Sequence, residues 1–414
     1  MFDFDTWQEI FFTLRQNKLR TALTAFAVSW GIFMLMLLMG FGAGLKNGID
    51  WGFRDDAINR VAFYAGRTSK AHAGLPRGKL VKFTNRDYDE FNRSIDGIEH
   101  ITGRVTVDAQ HVVRYQDQFS AFPLRGVHPE HLHIEKTILT SGRYLNQFDL
   151  DQSRKVAVIG PDVAELFFGE KDPLGKWIKI RNTMFQVIGT YWDEGGEFER
   201  TIIYLPLTTA QLLFRNSEPK LNHLIFTTGN ASVADSKAMQ VKAEEILRAR
   251  HGYAEDDKRA VYVNNGLEQY QRVIGLTTAI HIVLWIVGLG TIIAGIVGVS
   301  NIMLIVVKER TKEIGLRKAL GATPGSIIQL IMLESIFVTA MAGYVGLLFG
   351  VLLVEAVNWV LQQSGFDGPF QNPVIELNIG LVALALLVAA GAIAGFIPAR
   401  KAAQVEPVNA LRDE

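Results

Sequence analysis

The stretch KERTKEIGLRKALGATPGSI, residues 308–327, is dense in charge and lies between two long apolar segments. Segment 273–307 contains one titratable side chain, His281, and segment 328–354 contains one charged residue, Glu334. Five basic residues and two glutamates thus stand on a short connector between two apolar helices. A connector that only joined two helices would need about five residues and no such charge.

The composition of the whole chain indicates a membrane protein. Hydrophobic residues make up 49% of the 414 residues and charged residues 20%, and the hydrophobic ones concentrate near the start and in the last third. The formal net charge is zero, and no nucleic-acid partner is expected. The sequence has no cysteine, which excludes disulfides and thiolate metal sites within it.

Four apolar stretches have the ~20 residues that a helix needs to cross a bilayer. The first is longer than the ~7–15-residue apolar core of a cleavable signal peptide, so we expect it to remain as a membrane anchor. The predicted spans are 21–45, 271–307 (with an external extension), 327–354 and 377–399.

The basic residues predict the orientation of these spans, because Lys and Arg concentrate on the cytoplasmic side. They occur in the N-terminal segment 1–20, the connector 308–326 and the tail 400–414, whereas loop 355–376 has none. Both termini and the connector are therefore expected in the cytoplasm. Loop 355–376 and the long segment 46–270 are expected outside.

The N-terminal segment is predicted to form an amphipathic helix over residues 6–20. Trp7, Ile10, Phe11 and Leu14 follow the helical i, i+3, i+4, i+7 spacing, and basic residues follow them. Such a helix lies in the membrane interface. The alternative is that it extends the first span and packs on protein.

Segment 46–270 is predicted to be a mixed α/β domain, with room for two subdomains. Short runs of β-branched and aromatic residues predict strands, and capped apolar runs predict helices. The Gly- and Lys-rich residues 67–79 are predicted to be a mobile loop. The predicted strands are 61–64, 105–107, 111–115, 157–159, 178–180, 185–191 and 202–205, and the predicted helices are 160–169, one that begins near 207, and 234–251.

The fold class that follows is a membrane protein with four transmembrane α-helices and a large mixed α/β extracytoplasmic domain between the first and second. Glycines recur in the spans at the spacing that lets membrane helices approach closely, which predicts a packed four-helix unit that dimerises. General tolerance of glycine in membrane helices is the alternative for any single pair. The glycines predicted to pack are Gly40, Gly44, Gly288, Gly295, Gly346, Gly350, Gly391 and Gly395.

The connector itself is predicted to be helical over 308–320. Glu313 and Arg317 form an acid-before-base pair at i,i+4. Gly321 is a natural helix stop, and Pro324 suits the first turn of the next helix. The predicted connector is a rigid, charged and partly apolar projection. Such a projection is suited to docking of a cytosolic partner.

The connector and four further segments resemble a known family. KERTKEIGLRKALGATPGSIIQLIMLES (308–335) resembles the cytoplasmic signature of the ABC permease family that includes MacB-type exporters, the LolC/LolE lipoprotein-releasing permeases and FtsX, and residues 397–414 are similar to its C-terminus. Residues 14–49 resemble MacB-type N-termini. Residues 141–191 and 202–211 resemble the MacB-type periplasmic core domain. The resemblance covers nearly the whole chain.

The resemblance implies a permease of the bacterial inner membrane that works with a second copy or paralogue and a cytosolic ABC ATPase, which holds the ATP and Mg²⁺. Closure of the ATPase would be transmitted through the second span to the external domain. A periplasmic adaptor of the membrane-fusion type is a further implied partner. The residues implied as ATPase contacts are Glu309, Arg310, Glu313, Ile314, Leu316, Arg317, Leu320, Gly321 and Ala322.

Catalytic motifs and cofactors are not expected on this chain. Gly-Lys occurs at 78–79 and 175–176, but neither continues as G-x-x-x-x-G-K-[ST], so the ATPase is expected on a separate polypeptide. The acidic residues of 193–199 are expected to form a solvated turn or a loop that faces a partner, rather than a paired-carboxylate site. In GVHPEHLHIEK (126–136), His131 and His133 would share one face of a strand and could bind a metal, but a polar turn without metal is favoured.

The predicted function is export or extraction of an extracytoplasmic substrate, such as an antimicrobial peptide, a macrolide-like compound or a lipoprotein. No charged residue lies at the predicted midplane of a span, which argues against an ion-coupled transporter. The alternative function is an FtsX-like signalling device that controls a cell-wall hydrolase without transport. The MacB-type character of the external segment favours the first function.

Overall fold

The computed structural model describes residues 18–54, 56–107, 111–214, 220–364, 368, 370–375 and 377–407. Residues 6–17 of the predicted amphipathic helix lie outside this part of the chain. The chain divides into two compact units. The membrane unit comprises Met1–Trp51 and Gly275–Glu414, and the extracytoplasmic unit comprises Gly52–Ile274.

The described helices and strands are as follows. The helices are α1 (Lys18–Gly52), α2 (Asn85–Ser94), α3 (His131–Ile134), α4 (Gln147–Asp151), α5 (Pro161–Phe168), α6 (Glu197–Arg200), α7 (Leu207–Phe214), α8 (Val233–His251), α9 (Gly266–Glu309), α10 (Thr311–Ala319), α11 (Pro324–Ser364) and α12 (Leu377–Ala403). The strands are β1 (Arg60–Ala65), β2 (Phe83–Thr84), β3 (Ile101–Thr106), β4 (His111–Tyr115), β5 (Gln118–Phe122), β6 (Leu124–Val127), β7 (Ile138–Gly142), β8 (Val156–Ile159), β9 (Trp177–Ile180), β10 (Thr183–Trp192), β11 (Ile203–Pro206), β12 (Lys220–Leu221), β13 (His223–Thr227) and β14 (Val261–Asn265).

Four helices of the described chain, α1, α9, α11 and α12, are long and apolar enough to cross a membrane. Helix α9 has 44 residues, so at 1.5 Å per residue it is about 66 Å long, twice the ~30 Å of a bilayer core. Helix α11 has 41 residues and continues to Ser364, ten residues beyond the predicted end of its span. Both helices are therefore longer than the hydrocarbon region and extend beyond it by several turns.

The membrane helices pack through small residues. A Cβ on Gly346 of α11 would lie 2.2 Å from the carbonyl oxygen of Ser29 in α1, so only glycine allows this approach. Between α11 and α12, Ser335 Oγ donates to the carbonyl of Gly391 at 3.1 Å. Close contacts between membrane helices also occur at Gly40, Gly288, Gly350, Gly391 and Gly395. Gly44 instead approaches Phe370 and Pro373 in the loop before α12, and the nearest heavy atom to a Cβ on Gly295 is 4.0 Å away.

The extracytoplasmic unit is built on one mixed sheet. Its strand order is β14-β1-β13-β3-β6-β11-β8-β10-β9-β4-β5, and β7 pairs with β10. The pairs β6/β11 and β8/β10 are parallel, and the remaining neighbours are antiparallel. Strand β14 forms one edge of the sheet, and β1 lies next to it and pairs with β13 on its other side.

Two large apolar clusters cover opposite ends of this sheet. One lies where α2 and α8 pack on β1, β3 and β13, and includes Phe63, Phe91 and Phe226. The other lies where α5 packs on β8, β9 and β10, and includes Phe167 and Phe185. Such clusters account for most of the apolar area that folding of this unit removes from water.

The segment 67–79 is hydrogen-bonded rather than open. Thr68 is buried and its backbone amide donates to the carbonyl of Lys79 at 2.9 Å. The carboxylate of Asp257 accepts from the amide and the hydroxyl of Ser69, both at 2.7 Å. Asp257, remote in sequence, thus supplies acceptors to the backbone at the start of this segment, while most of residues 70–79 are exposed, and the mobility of the loop stays a prediction.

Candidate functional site

Helix α9 ends at Glu309 and helix α10 begins at Thr311, so the continuous helix predicted over 308–320 is interrupted at Arg310. The backbone of Arg310 has φ −97° and ψ 15°. The hydroxyl of Thr311 donates to the carbonyl of Lys308 at 2.7 Å, and a hydroxyl bonded to the preceding turn bends a helix. Helix α10 is thus a short separate helix that follows α9 almost without a loop.

One side of α10 faces the other helices of the membrane unit. Ile314 is only 7% exposed. At the break, Arg310 Nη1 lies 3.2 Å from Glu334 Oε2 in α11, and both side chains are largely buried. A cleft of about 450 Å³, counting its open mouth, is lined by these three side chains together with Glu313 and Arg317.

A second attachment joins α10 to the end of α12. The ammonium group of Lys318 donates to the carbonyls of Ala403 and Val405, at 2.8 and 2.6 Å. Carbonyls at the end of a helix have no partner within it, and a cation satisfies both their hydrogen bonding and the helix dipole. Lys318 was not among the predicted site residues, and its acceptors lie more than 80 residues away.

The opposite side of α10 is exposed and partly apolar. Leu316 and Leu320 are 52% and 81% exposed, and their i,i+4 spacing places them on one face. Lys312 and Glu313 are exposed beside them. Large apolar side chains so exposed on a charged helix are typical of a surface that another protein covers. We call Leu316, Leu320, Lys312 and Glu313 the connector face.

The nine residues implied as ATPase contacts therefore fall into three groups by exposure. Arg310 and Ile314 face the membrane helices, and their burial leaves little side-chain surface for a partner. Arg317 and Ala322 are half-buried. The exposed members are Glu309, Glu313, Leu316, Leu320 and Gly321.

The turn after α10 depends on Gly321. Its φ of +100° is a backbone conformation that other residues rarely adopt. The amide of Ala322 then donates to the carbonyl of Arg317 at 2.9 Å. Helix α11 begins two residues later at Pro324, and the hydroxyl of Thr323 accepts from the amide of Ser326 at 3.3 Å. The stop and start signals in the sequence thus place α11 directly after α10.

The extracytoplasmic unit contains a buried charged network that sequence reasoning missed. Glu135 accepts from Tyr204 Oη at 3.0 Å and contacts Arg104, Arg125 and His131. Arg125 also forms a bidentate ion pair with Glu199, in which Nη1 donates to Oε2 at 2.7 Å and Nη2 donates to Oε1 at 2.8 Å. These residues come from the adjacent strands β3, β6 and β11, from α3 and the residue that follows it, and from α6. Glu199 thus belongs to an ion-pair network rather than to the solvated turn expected over 193–199.

The network keeps Glu135 ionised. Burial alone would raise the pKa of Glu135, but its contacts with His131, Arg104 and Arg125 outweigh burial and hold its pKa well below the usual range. Burial raises the pKa of the Tyr204 hydroxyl, and the neighbouring Glu135 raises it further. A buried network of this kind specifies the packing of β3, β6 and β11, because any missing partner leaves a buried charge unpaired.

The three histidines of residues 126–136 lie in different environments. The segment forms the helical turn α3, not a strand, so the shared face predicted for His131 and His133 does not exist. His131 is buried against Glu135. His128 accepts from the amide of Gly103 at 2.9 Å and stacks on Tyr88, and burial lowers its pKa to about 4. His133 is exposed and stacks on His100.

Four apolar helices, a large α/β domain inserted between the first two, and a charged connector between the second and third are the features of a multi-pass membrane protein with an extracytoplasmic domain. The family models narrow this class. The MacB-like periplasmic core domain matches residues 21–247, and the FtsX-like permease C-terminal domain matches residues 285–407. The chain belongs to the MacB/FtsX-like family of ABC transporter permeases, and the resemblance found in the sequence is confirmed.

Two curated relatives show how much of a longer protein this chain matches. The "Macrolide export ATP-binding/permease protein MacB" of Chlorobaculum tepidum is 29% identical over 98% of the chain, and that of Wolinella succinogenes is 27% identical over 99%. The chain spans 61% of the length of each. Among solved structures, the periplasmic region of MacB from Actinobacillus actinomycetemcomitans aligns with a TM-score of 0.44 at 17% identity, over 53% of this chain and 94% of that one.

Proposed function

We propose that the chain is the permease subunit of an ABC transporter, in which ATP hydrolysis on a nucleotide-binding partner drives export or extraction of an extracytoplasmic substrate. The main support for this proposal is the exposure of apolar side chains on the connector face. Leu316 and Leu320 are exposed on a helix whose other side is fixed to α11 and α12. A partner that binds this face moves the membrane helices, because α10 has no freedom to move without them.

The path from the connector face towards the substrate follows the chain itself. Helix α10 follows α9 after one residue, and α9 is a single helix of 44 residues. Strand β14 ends at Asn265, directly before α9 begins. A rigid helix transmits a displacement along its axis with little loss. We therefore propose that movement of α10 is passed through α9 to the extracytoplasmic unit.

The substrate class follows from the relatives. Both are named for macrolide export, so a macrolide-like compound is the leading candidate, with antimicrobial peptides and lipoproteins as the others. The MacB-type domain matched over 21–247 favours transport over the signalling alternative. We place the chain in the bacterial plasma membrane with both termini and the connector in the cytoplasm, because the basic residues flank the spans on that side.

The partners are proposed from the same family membership. They are an ABC ATPase as a separate subunit, with its own ATP and Mg²⁺, a second copy or a paralogue of the permease, and a periplasmic adaptor of the membrane-fusion type. The curated relatives carry "ATP-binding/permease" in their names and extend beyond the part that this chain matches.

Co-purification with an activity assay tests the proposal. Affinity-tagged chain isolated from its native host in lipid is expected to bring an ABC ATPase with it. Arg310→Gln breaks the pair with Glu334 and is expected to lower permease-stimulated ATPase activity by about fivefold or more, since coupling energies are typically ~1–3 kcal/mol. Arg272→Gln, which removes an exposed pair within α9, is the control. If no ATPase co-purifies, the proposed function is wrong.

A further inference from the structure

Three side chains with metal-ligating atoms meet on the surface of the extracytoplasmic unit. The ligand atoms of His100, Glu130 and His133 all lie within 4.8 Å of one another. His100 Nδ1 is 2.5 Å from Glu130 Oε2. The rings of His100 and His133 stack with centroids 4.4 Å apart and planes at 17°. The cluster is partly open to solvent, so an ion from outside can reach it.

The backbones that carry these side chains are fixed. The amide of His100 donates to Thr227 Oγ1 at 3.1 Å, and its carbonyl accepts from the amide of Thr227 at 2.8 Å. Glu130 directly precedes α3, and the amide of His133 donates to the Glu130 carbonyl at 3.1 Å. Buried Ile134 holds this turn against the sheet. The backbone thus holds the three side chains together, with their ligand atoms within 4.8 Å of one another.

The donor set selects the class of ion. Two imidazole nitrogens and one carboxylate oxygen suit zinc and neighbouring first-row transition metals, whereas Mg²⁺ and Ca²⁺ prefer oxygen ligands. Glu130 and His133 have the Glu-x-x-His spacing, which places both on one side of a helical turn. With three protein ligands, a tetrahedral ion keeps one position for water or another group.

We propose that His100, Glu130 and His133 bind a divalent transition metal of the zinc type. The ion joins the residue before β3 to the turn α3, which come together only in the folded chain. Metal binding therefore stabilises the part of the sheet where α3 also supplies Glu135 to the buried network. The site lies outside the connector and does not depend on the proposed transport function. The metal site considered from the sequence drew only on the histidines and glutamates of 126–136, and His100 completes a different set with Glu130 and His133.

Titration of the intact chain with ZnCl₂ tests this site. The protein is purified in detergent through a tag without histidines, and zinc binding is followed by calorimetry and by the shift in thermal unfolding. We expect one zinc ion per chain with micromolar affinity and no binding of Mg²⁺. His133→Gln and Glu130→Gln are each expected to weaken zinc binding about tenfold or more.

His72→Gln removes an exposed imidazole from another part of the same unit and is the matched control. It is expected to leave zinc affinity unchanged. Thermal unfolding of each variant without zinc shows that the fold is intact, and Glu130→Gln serves if His133→Gln does not fold. Wild-type zinc binding no tighter than that of His133→Gln, or an equal loss in His72→Gln, would overturn the proposal.

Discussion

The carboxylate of Asp87 links helix α2 to the end of helix α8, which are distant in the sequence. It is fully buried, accepts from the amide of Thr84 at 2.7 Å, and contacts Arg250 and His251 at the end of α8. Burial alone would raise its pKa, but the contacts with His251, Arg250 and Thr84 outweigh burial and lower the pKa of Asp87 to about 2. The ionised form is thus favoured by the fold.

A lowered pKa makes the stability of the unit depend on pH. The ordinary pKa of Asp87 is 3.8, so its ionised form adds about 2 kcal/mol above pH ~4, and this contribution is lost as pH falls towards 2. Asp87→Asn keeps the shape and removes the charge. We expect it to lower the temperature of thermal unfolding near neutral pH, and the gap from wild type to shrink steadily below pH ~4. A gap that is independent of pH would contradict this assignment.

Residue-level contacts of this kind are poorly predicted from sequence. Arg250 is 163 residues from Asp87, and Tyr204 is 69 residues from Glu135. The sequence shows which residues carry charge, but the partner of each is decided by the sheet order. For the same reason His100 was not associated with Glu130 and His133, although all three are visible in the sequence.

At the level of elements, segments with a clear pattern of apolar, β-branched or aromatic residues were predicted from the sequence, and several segments with a weaker pattern were missed. The structure contains strands at all seven predicted places and the helix Val233–His251. Strand β7 was missed because ILTSG is exposed throughout and shows no alternation of apolar residues. Strand β14 was missed because VYVNN ends in two asparagines, which are more typical of turns. Helix α2 was missed because only Asp87 and Phe91 of its ten residues are buried.

The close approach of membrane helices gives a test at the element level. A Cβ at Gly346 would meet the Ser29 carbonyl at 2.2 Å, whereas a Cβ at Gly290 in α9 meets no atom within 4 Å. Gly346→Ala is therefore expected to separate α1 from α11 and to cost roughly 1–3 kcal/mol. Gly290→Ala is expected to be neutral. Thermal unfolding in detergent measures both, and equal effects of the two substitutions would contradict the packing described here.

At the scale of the whole molecule, the four-span architecture could be predicted because bilayer thickness fixes the length of an apolar helix. The two sides of α10 could not be predicted in the same way. Which side is buried depends on Glu334 and on the carbonyls of Ala403 and Val405, on two other helices. Ile314 and Leu316 are both apolar, two residues apart, and only these contacts show that Ile314 is covered and Leu316 is not.

We propose that the connector face binds the ATPase, and the cysteine content of the chain allows a direct test of this contact. The chain has no cysteine, so a single introduced cysteine supplies its only thiol. Leu320→Cys places a thiol on the connector face, and Ile314→Cys places one on the buried side of the same helix.

The measurement is cross-linking of these two variants to the co-purified ATPase with a short reagent that has a maleimide at one end and a photoreactive group at the other. The maleimide alkylates the introduced thiol, and on illumination the photoreactive group inserts into a C–H bond of whichever protein lies beside it. We predict that Leu320→Cys gives a covalent product with the ATPase and that Ile314→Cys gives little or none. A product from Ile314→Cys that equals or exceeds that from Leu320→Cys, or no product from Leu320→Cys, would contradict the account.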